Sequence, residues 1–304
     1  MVTNVRYFDI QRKIVANITG DSWREAPHAS VSYETDATAL MAEIKKLNAD
    51  RDAEHKITYN TAMLKIIAEA VKEAPEMNSH IHFNEKLVAG TIKQFDNIDI
   101  SVPMILPSGQ MMTVTMFDVG NKKIDEITDY IADVRRRMEN TNLSQTMYEV
   151  SIENTMNYLK KGKPVKVALR LLGAFTGKGK ITTLHGKERK DYDAIPRSVR
   201  LTKDDLRQGT LTVSNIGSVY RNGKVKTNLI NCVKPQVCAV CLDSLFDKQE
   251  LKKDENGNID IVNKKYLSMC VSFDRRVIDY DMIVPFFKKL DEVTADPSIL
   301  EQWV

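Results

Sequence analysis

The feature that most constrains the fold is a repeated change of hydrophobic period along the first 150 residues. Residues 29–37 (ASVSYETDA) alternate apolar and polar side chains, as a strand with one buried face does. Residues 40–50 then carry their apolar side chains on one helical face, and the same helical pattern recurs at 59–74 and 124–140. Strands that alternate with helices predict an α/β fold, in which helices pack against a sheet.

The second half of the chain predicts further strands and a closing helix. The polar segment 201–209 predicts a short helix, and strand-like runs follow it at 210–218, 235–242 and 266–274. Residues 281–296 predict the closing helix, with Pro285 either in its first turn or at a kink. We therefore expect an α/β two-layer sandwich with a mixed sheet, formed by residues 1–304 as a single domain.

Composition limits the location and the chemistry of the chain. It has no run of about 18 apolar residues, so no transmembrane helix is expected. The N-terminus lacks the pattern of a secretion signal, and we expect a cytoplasmic protein. Four cysteines include Cys238-x-x-Cys241, a spacing found in metal and redox sites. No second such pair accompanies it, so buried free thiols are the simpler interpretation.

The most informative motif lies near the C-terminus, where residues 272–280 read Ser-Phe-Asp-Arg-Arg-Val-Ile-Asp-Tyr. It resembles the S-F-D-H-R-V-I-D-G motif of the dihydrolipoamide acyltransferases, the acyl-transfer cores of 2-oxoacid dehydrogenase complexes. Residues 26–41, 201–218 and 229–242 resemble other segments of the same family, in the same order. The resemblance covers most of the chain outside residues 151–200.

This resemblance implies a fold, an assembly and a substrate class. The fold is like that of chloramphenicol acetyltransferase, the assembly is a homotrimer, and the active site lies at the subunit interface. Coenzyme A or acyl-CoA is implied as a substrate, together with a small-molecule thiol or thioester. The resemblance extends over the catalytic core alone, so we expect no lipoyl or subunit-binding domain.

The motif departs from the family at the position of the catalytic histidine, which in the family takes the proton from a thiol. Arg275 stands there. An arginine is not a base at neutral pH, because its pKa exceeds about 12 and it has no acceptor lone pair. Arg275 either stabilises a thiolate or another anion by its charge, or forms a structural ion pair with Asp279.

Four further positions correspond to positions of the family's site; two match the family's residue and two differ from it. Ser214 matches the serine that hydrogen-bonds the tetrahedral oxyanion, or else it caps the end of its own strand. Asp279 matches the motif's aspartate, which in the family is held by an arginine near the N-terminus. Ile18 stands where that arginine is expected, and Tyr280 replaces a glycine, which predicts an altered loop. The candidate site residues are therefore Ser214, Arg275 and Asp279.

Other histidines offer little replacement for the lost base. His28 belongs to a segment that resembles the family and is the best spare base, although a packed histidine is the simpler interpretation. His80 and His82 would share one face of a strand, but no third ligand is recognisable. We expect no metal.

Residues 151–200 carry a local excess of positive charge, with 12 Lys/Arg against four Asp/Glu. A local basic block favours a local role over general nucleic-acid binding, so no nucleic-acid partner is expected. Within it, residues 164–175 predict a basic amphipathic helix with Lys166 and Arg170 on one face. This insertion is a lid or trimer contact, a grip for coenzyme A phosphates, or a weak contact with a membrane surface.

Two main hypotheses follow. In the first, the chain transfers acyl groups from a coenzyme A thioester at an altered active site, with Ser214 as the oxyanion donor. In the second, it is a catalytically inactive trimeric pseudoenzyme that binds a ligand or acts as a scaffold. A membrane-surface adaptor acting through residues 164–175 is a third.

Overall fold

The computed structural model describes residues 3–106, 109–160, 162, 164–253 and 256–304, without the side chains at 154, 157–160 and 166. Its helices are α1 (Ile10–Glu25), α2 (Thr38–Leu47), α3 (Tyr59–Lys72), α4 (Ile124–Glu139), α5 (Leu143–Lys160), α6 (Pro164–Phe175), α7 (Gly186–Ala194), α8 (Val284–Ala295) and α9 (Leu300–Trp303). Its strands are β1 (His28–Asp36), β2 (Ser79–Asn84), β3 (Ala89–Gln94), β4 (Ile100–Ile105), β5 (Met111–Met116), β6 (Leu211–Asn215), β7 (Cys238–Leu242), β8 (Phe246–Lys253) and β9 (Ile259–Asp274).

One large sheet organises the described part of the chain. Its strand order is β1-β9-β7-β6-β4-β5, with β8 paired to the first half of β9 and β2–β3 forming a separate hairpin. Strand β6 runs parallel to both β4 and β7, whereas the β1–β9, β7–β9, β8–β9 and β4–β5 pairs are antiparallel. The mixed sheet predicted from the sequence is confirmed.

The two faces of this sheet differ in chemistry because side chains alternate along each strand. One face presents large apolar side chains, including Val213, Val240, Val271 and Phe273, to the helices. Helix α3 packs against α8 and α4, and α8 also contacts β1. This layer of helices on the apolar face holds the main core, as the two-layer prediction required.

The opposite face carries small and polar side chains and lies under an extended segment, residues 219–236. Ser30 Oγ donates to the Asn228 carbonyl at 2.8 Å, and the Ile230 N–H donates to Ser272 Oγ at 3.0 Å. The Thr227 N–H donates to the buried carboxylate of Asp243 at 3.0 Å. The segment therefore follows the polar face through bonds to strand side chains.

Local sequence explains where two of the predicted helices begin. Thr58 caps α3, since its hydroxyl accepts the Thr61 N–H at 3.1 Å while the Thr58 N–H donates to Thr61 Oγ1 at 2.8 Å. Pro285 lies in the first turn of α8, where a missing N–H costs nothing. This decides between the two positions that the sequence left open.

One prediction of secondary structure is wrong. Residues 201–209 form turns instead of the short helix that their polarity suggested. The Asp205 carboxylate accepts hydrogen bonds from Thr202 and forms an ion pair with Arg137. The Asp205 backbone carbonyl accepts the Thr115 N–H of β5. The local bond to Thr202 and the tertiary bonds to Arg137 and Thr115 replace the bonds that a helix would make within the segment.

The basic segment is helical over much of its length. Helix α5 packs against α1 and α6, and α7 follows after an irregular stretch. The predicted helix at residues 164–175 is confirmed as α6. Lys161, Lys163 and the side chain of Lys166 lie outside the described residues. In the part of the chain that the structure describes, no helix has the length and apolar character needed to cross a membrane.

Candidate active site

Arg275 lies in the turn that follows β9, at the position where the motif would have its base. Its Nη1 is 2.8 Å from Asp279 Oδ1 and donates to the Ile278 carbonyl at 2.9 Å. Its guanidinium also lies over the Tyr280 ring, 4.8 Å from the ring centroid. Arg275 is therefore paired within its own loop, as one of the two sequence interpretations held.

The same loop is anchored by the next arginine, which the sequence analysis did not single out. The Arg276 side chain forms three hydrogen bonds with the carboxylate of Asp274, whose side chain is only 1% exposed. The Asp274 N–H donates to the Val237 carbonyl, and the Arg275 N–H donates to the Pro27 carbonyl. These bonds hold the start of the loop against β1 and β7. A carboxylate at the end of an apolar strand, followed by two arginines, was the available signal.

Tyr280 occupies the loop position where the family motif has a glycine. Its backbone lies outside the left-handed region that favours glycine. Its ring packs edge-on against Phe273, 5.6 Å between centroids, and remains about half exposed. Ile18 is half-buried in α1, so the cation that contacts Asp279 is Arg275.

Ser214 lies near the end of β6, on the polar face of the sheet. It is half-buried, and its hydroxyl has no hydrogen-bond partner among the described residues. The next residue, Asn215, contacts Asn60 and accepts the Ser218 N–H at 3.0 Å. A side chain at Gly217 would collide with the backbone of Asp243 and Ser244, so the turn that follows Ser214 requires glycine. Ser214 does not cap its own strand, and its hydroxyl is available to donate.

The structure does not bring Ser214 and Arg275 together within one chain. Ser214 lies opposite Cys241, and Cys241 lies opposite Cys270 on β9, five residues before Arg275. At strand geometry this separation is about 16 Å along the strands and about 10 Å across them. The two candidate residues therefore lie at opposite ends of the same sheet.

His28 is close to Arg275 in the fold but is not placed as a base. It lies opposite Asp274 at the start of β1, and its Nε2 accepts the Cys232 N–H at 3.1 Å. Its ring stacks on Trp23, with 5.9 Å between centroids. Because this lone pair already accepts a backbone N–H, the packed interpretation of His28 fits the structure.

The four cysteines are free and buried, as predicted. Cys238 points to the apolar core and Cys241 to the polar face, because they are three residues apart on one strand. Burial raises the pKa of Cys238 to about 12 and also raises the pKa of Cys232. Neither thiol has the exposure or the lowered pKa that a nucleophile needs.

The pair His80 and His82 shows no convergence with further ligands. His80 Nε2 is 3.1 Å from the Gly209 carbonyl, and its ring packs edge-on against Phe95. Burial lowers the pKa of His80, which keeps the ring neutral. Among the described residues, no three His, Cys, Asp or Glu side chains are grouped as metal ligands would be.

Comparison with known proteins identifies the family. The model for the 2-oxoacid dehydrogenases acyltransferase (catalytic domain) matches residues 2–153 and 182–301. This chain belongs to that family. The family match leaves out residues 154–181, which include the end of α5 and all of α6.

Curated relatives of this acyltransferase-family chain include acetyltransferase components of pyruvate dehydrogenase complexes. The component from Schizosaccharomyces pombe is 23% identical over 286 residues, which are 94% of this chain and 44% of the relative. The component from Neurospora crassa is 27% identical over 146 residues, which are 47% of this chain and 30% of the relative. The chain thus spans less than half the length of these two relatives.

Solved structures confirm the fold of the family. The cubic core of the pyruvate dehydrogenase multienzyme complex has a TM-score of 0.63 at 18% identity, with 99% of this chain and 94% of that chain covered. The truncated catalytic core from Thermoplasma acidophilum has a TM-score of 0.60 at 17% identity, with 97% and 99% covered. The α/β architecture predicted from the resemblance is the one observed.

Proposed function

We propose that this chain is a trimeric member of the acyltransferase family that binds a coenzyme A thioester or a related thiol without base-catalysed acyl transfer. The observation that carries this proposal is the pairing of Arg275 with Asp279 at the position of the base. A protonated guanidinium has no lone pair with which to take a thiol proton. Losing a general base typically lowers the rate by roughly 10²–10⁴-fold.

The neighbouring groups do not supply a substitute base. His28 Nε2 is occupied by the Cys232 N–H, and Asp279 contacts Arg275 directly. Thiol ionisation would then rest on solvent alone, and an ordinary thiol with a pKa near 8.5 is mostly protonated at neutral pH.

The distance between Ser214 and Arg275 supports an assembly of more than one copy. A site that combined the two residues would need Ser214 from one chain and Arg275 from its neighbour, since they lie at opposite ends of one sheet. The single chain also leaves Tyr280, which contacts Arg275, exposed, together with Leu87, Val88 and Ile92 on the β2–β3 hairpin. Exposed apolar groups of this kind are typical of surfaces that another chain covers.

A solved relative supports the correspondence of the positions. The Azotobacter vinelandii dihydrolipoamide acetyltransferase was investigated for the roles of a serine, a histidine and an asparagine in its catalytic mechanism. Its histidine and asparagine are four residues apart, as are Arg275 and Asp279 here. The proposed ligand follows from this correspondence, because the family acts on coenzyme A thioesters.

Calorimetric titration with coenzyme A and acetyl-CoA, together with an assay of thiol release to dihydrolipoamide, tests the proposal. We expect both nucleotides to bind, with no thiol release above the uncatalysed rate. Sedimentation or light scattering in the same buffer is expected to give the mass of three chains. If neither coenzyme A nor acetyl-CoA binds, the proposed ligand is wrong. If the mass is that of one chain, the proposed trimer is wrong.

The Ser214 hydroxyl, which has no hydrogen-bond partner among the described residues, favours a second candidate function, acyl transfer with altered proton handling. A thiolate formed in solvent would attack the thioester carbonyl carbon and form a new C–S bond. Ser214 would donate to the resulting oxyanion, and collapse of the intermediate would expel the coenzyme A thiolate. Turnover by the native chain that falls about 10²–10³-fold in Ser214→Ala would favour this candidate over the first.

A further inference from the structure

Helix α6 presents an apolar face to solvent. Four large apolar side chains on this helix are each more than half exposed: Val165, Leu169, Leu172 and Phe175. Val165, Leu169 and Leu172 follow the i, i+4, i+7 spacing, so they form a continuous stripe along the helix. A soluble helix normally buries such a stripe, and an exposed one marks a surface that contacts something else.

The orientation of α6 is held by contacts on its other side. Val167 is buried on that side, and Phe175, which lies beyond the stripe and is 53% exposed, packs edge-on with Tyr148 of α5 at 6.5 Å between ring centroids. Lys13 of α1 donates to the Gly173 carbonyl at 2.5 Å, and the Ile181 N–H donates to the Ala174 carbonyl at 2.8 Å. The helix is therefore docked with its apolar stripe outward.

Aromatic side chains extend this surface at the end of α6. Tyr7 and Phe8, which precede α1, are both more than half exposed. The Lys178 ammonium lies over the Tyr7 ring, 5.8 Å from its centroid. Exposed aromatic rings beside lysines, next to an apolar stripe, are the composition found where helices lie in a lipid interface.

The charge of the same segment has one sign. Residues 154–181, the part that the family model does not match, contain seven Lys/Arg and no Asp/Glu. Among them, Lys178 and Lys180 are exposed beside the end of α6. We propose that α6, Tyr7 and Phe8 form a docking surface for an anionic lipid bilayer, on which the helix lies with its apolar stripe inserted.

An anionic bilayer fits this surface better than a second copy of the chain does. The segment is absent from the family match, whereas the matched residues include the core that relatives assemble from. A bilayer accepts an apolar stripe and attracts its basic flank at the same time. The proposal is independent of the proposed function, because it uses no residue of the candidate active site.

Co-sedimentation of the native chain with vesicles tests the proposal. Vesicles of phosphatidylcholine with phosphatidylglycerol are compared with vesicles of phosphatidylcholine alone. We expect binding to the anionic vesicles only, weakened by added salt. The double variant Leu169→Ser/Leu172→Ser is expected to lower the partition coefficient at least about tenfold. Lys178→Gln/Lys180→Gln is expected to lower it as well and to reduce its salt dependence.

A matched control uses another exposed apolar pair. Leu251 and Ile261 face each other across β8 and β9 and are both exposed, so Leu251→Ser/Ile261→Ser removes the same kind of surface elsewhere. We expect this variant to bind vesicles as the native chain does. Circular dichroism verifies that each variant is folded. We expect each one to fold, because the substituted side chains are exposed in the native chain.

Three results would overturn the proposal. One is the absence of co-sedimentation with anionic vesicles. The second is unchanged binding by the folded Leu169→Ser/Leu172→Ser variant. The third is a smaller mass for that variant than for the native chain in light scattering, together with no vesicle binding by the native chain. That result would assign the α6 stripe to a contact between copies.

Discussion

Arg275 and Asp279 form an ion pair within one loop, with 2.8 Å between Nη1 and Oδ1. The pair joins the motif position of the base to the motif position of the aspartate. The family resemblance places an arginine near the N-terminus opposite that aspartate, and this chain has Ile18 there. Arg275, four residues before Asp279 in the same loop, thus provides the cation that contacts this aspartate.

This ion pair is expected to contribute little to stability. The side chains of Arg275 and Asp279 are 35% and 60% exposed, and exposed pairs are typically worth about 0.2–1 kcal/mol. A double-mutant cycle with Arg275→Ala and Asp279→Ala, followed by urea unfolding, measures the coupling. The exposed pair Arg136–Asp133 on α4 serves as the control and should give a similar or smaller value. A coupling above about 2 kcal/mol would contradict this exposed placement.

The adjacent arginine is expected to behave differently. Arg276 pairs with Asp274, whose carboxylate is buried, so Arg276→Ala leaves a buried charge without its partner. We expect a loss of about 3–5 kcal/mol in the free energy of unfolding, against about 1 kcal/mol or less for Arg275→Ala. Urea unfolding of the two single variants provides the comparison. Equal losses would mean that the two arginines do not have separate roles.

Ser214 is expected to be a probe of chemistry that leaves the fold unchanged. Its hydroxyl has no partner among the described residues, so Ser214→Ala should change the free energy of unfolding by about 0.5 kcal/mol or less. Ser272 is the matched control on the same face, because its buried hydroxyl accepts the Ile230 N–H. Ser272→Ala should cost about 1–3 kcal/mol. A large loss in Ser214→Ala would assign Ser214 a structural role instead.

The pH dependence of stability is expected to reflect His80. Its pKa is lowered by burial first and by the nearby charges of His82 and Lys93, so the unfolded chain binds this proton more readily than the folded chain. Its contribution is therefore present above the unfolded pKa, near 6.5, and is lost as the pH falls towards the folded pKa. His80→Gln should weaken the loss of stability between about pH 7.5 and pH 5.5.

His55 supplies a control of opposite sign for that experiment. A hydrogen bond and charge attraction from Asp52 raise the pKa of this exposed histidine. Its contribution is present below the unfolded pKa and is lost as the pH rises through the folded pKa. His55→Gln should therefore steepen the loss of stability on acidification, if only slightly. Parallel curves for the native chain and both variants would contradict the assignment.

Much of the fold was predictable because its signals are local. The alternation in residues 29–37 predicted β1, and the helical stripe at 59–74 predicted α3. The turns at 201–209 were not predictable, because Asp205 forms bonds with Arg137 and Thr115 that are distant in sequence. The extended segment 219–236 also lacked a local pattern, since its bonds go to side chains of the sheet.

The candidate site was predictable only in part. The motif identified Arg275 and Asp279, the resemblance of residues 201–218 identified Ser214, and the chemistry of arginine suggested the ion pair that is observed. Sequence spacing did not indicate that Ser214 and Arg275 lie at opposite ends of one sheet, because that distance depends on the strand order. The exposure of the α6 apolar stripe could likewise not be predicted, because periodicity identifies a stripe without indicating what covers it.

The most direct test of the account is thiol release from acetyl-CoA to dihydrolipoamide by Arg275→His, measured beside the native chain and Arg275→Gln. The account predicts that histidine raises the rate over the native chain by about 10²-fold or more, while glutamine, which removes the charge without supplying a base, leaves the rate near the uncatalysed level. Turnover by the native chain that Arg275→His lowers would contradict it, because Arg275 itself would then be serving the reaction.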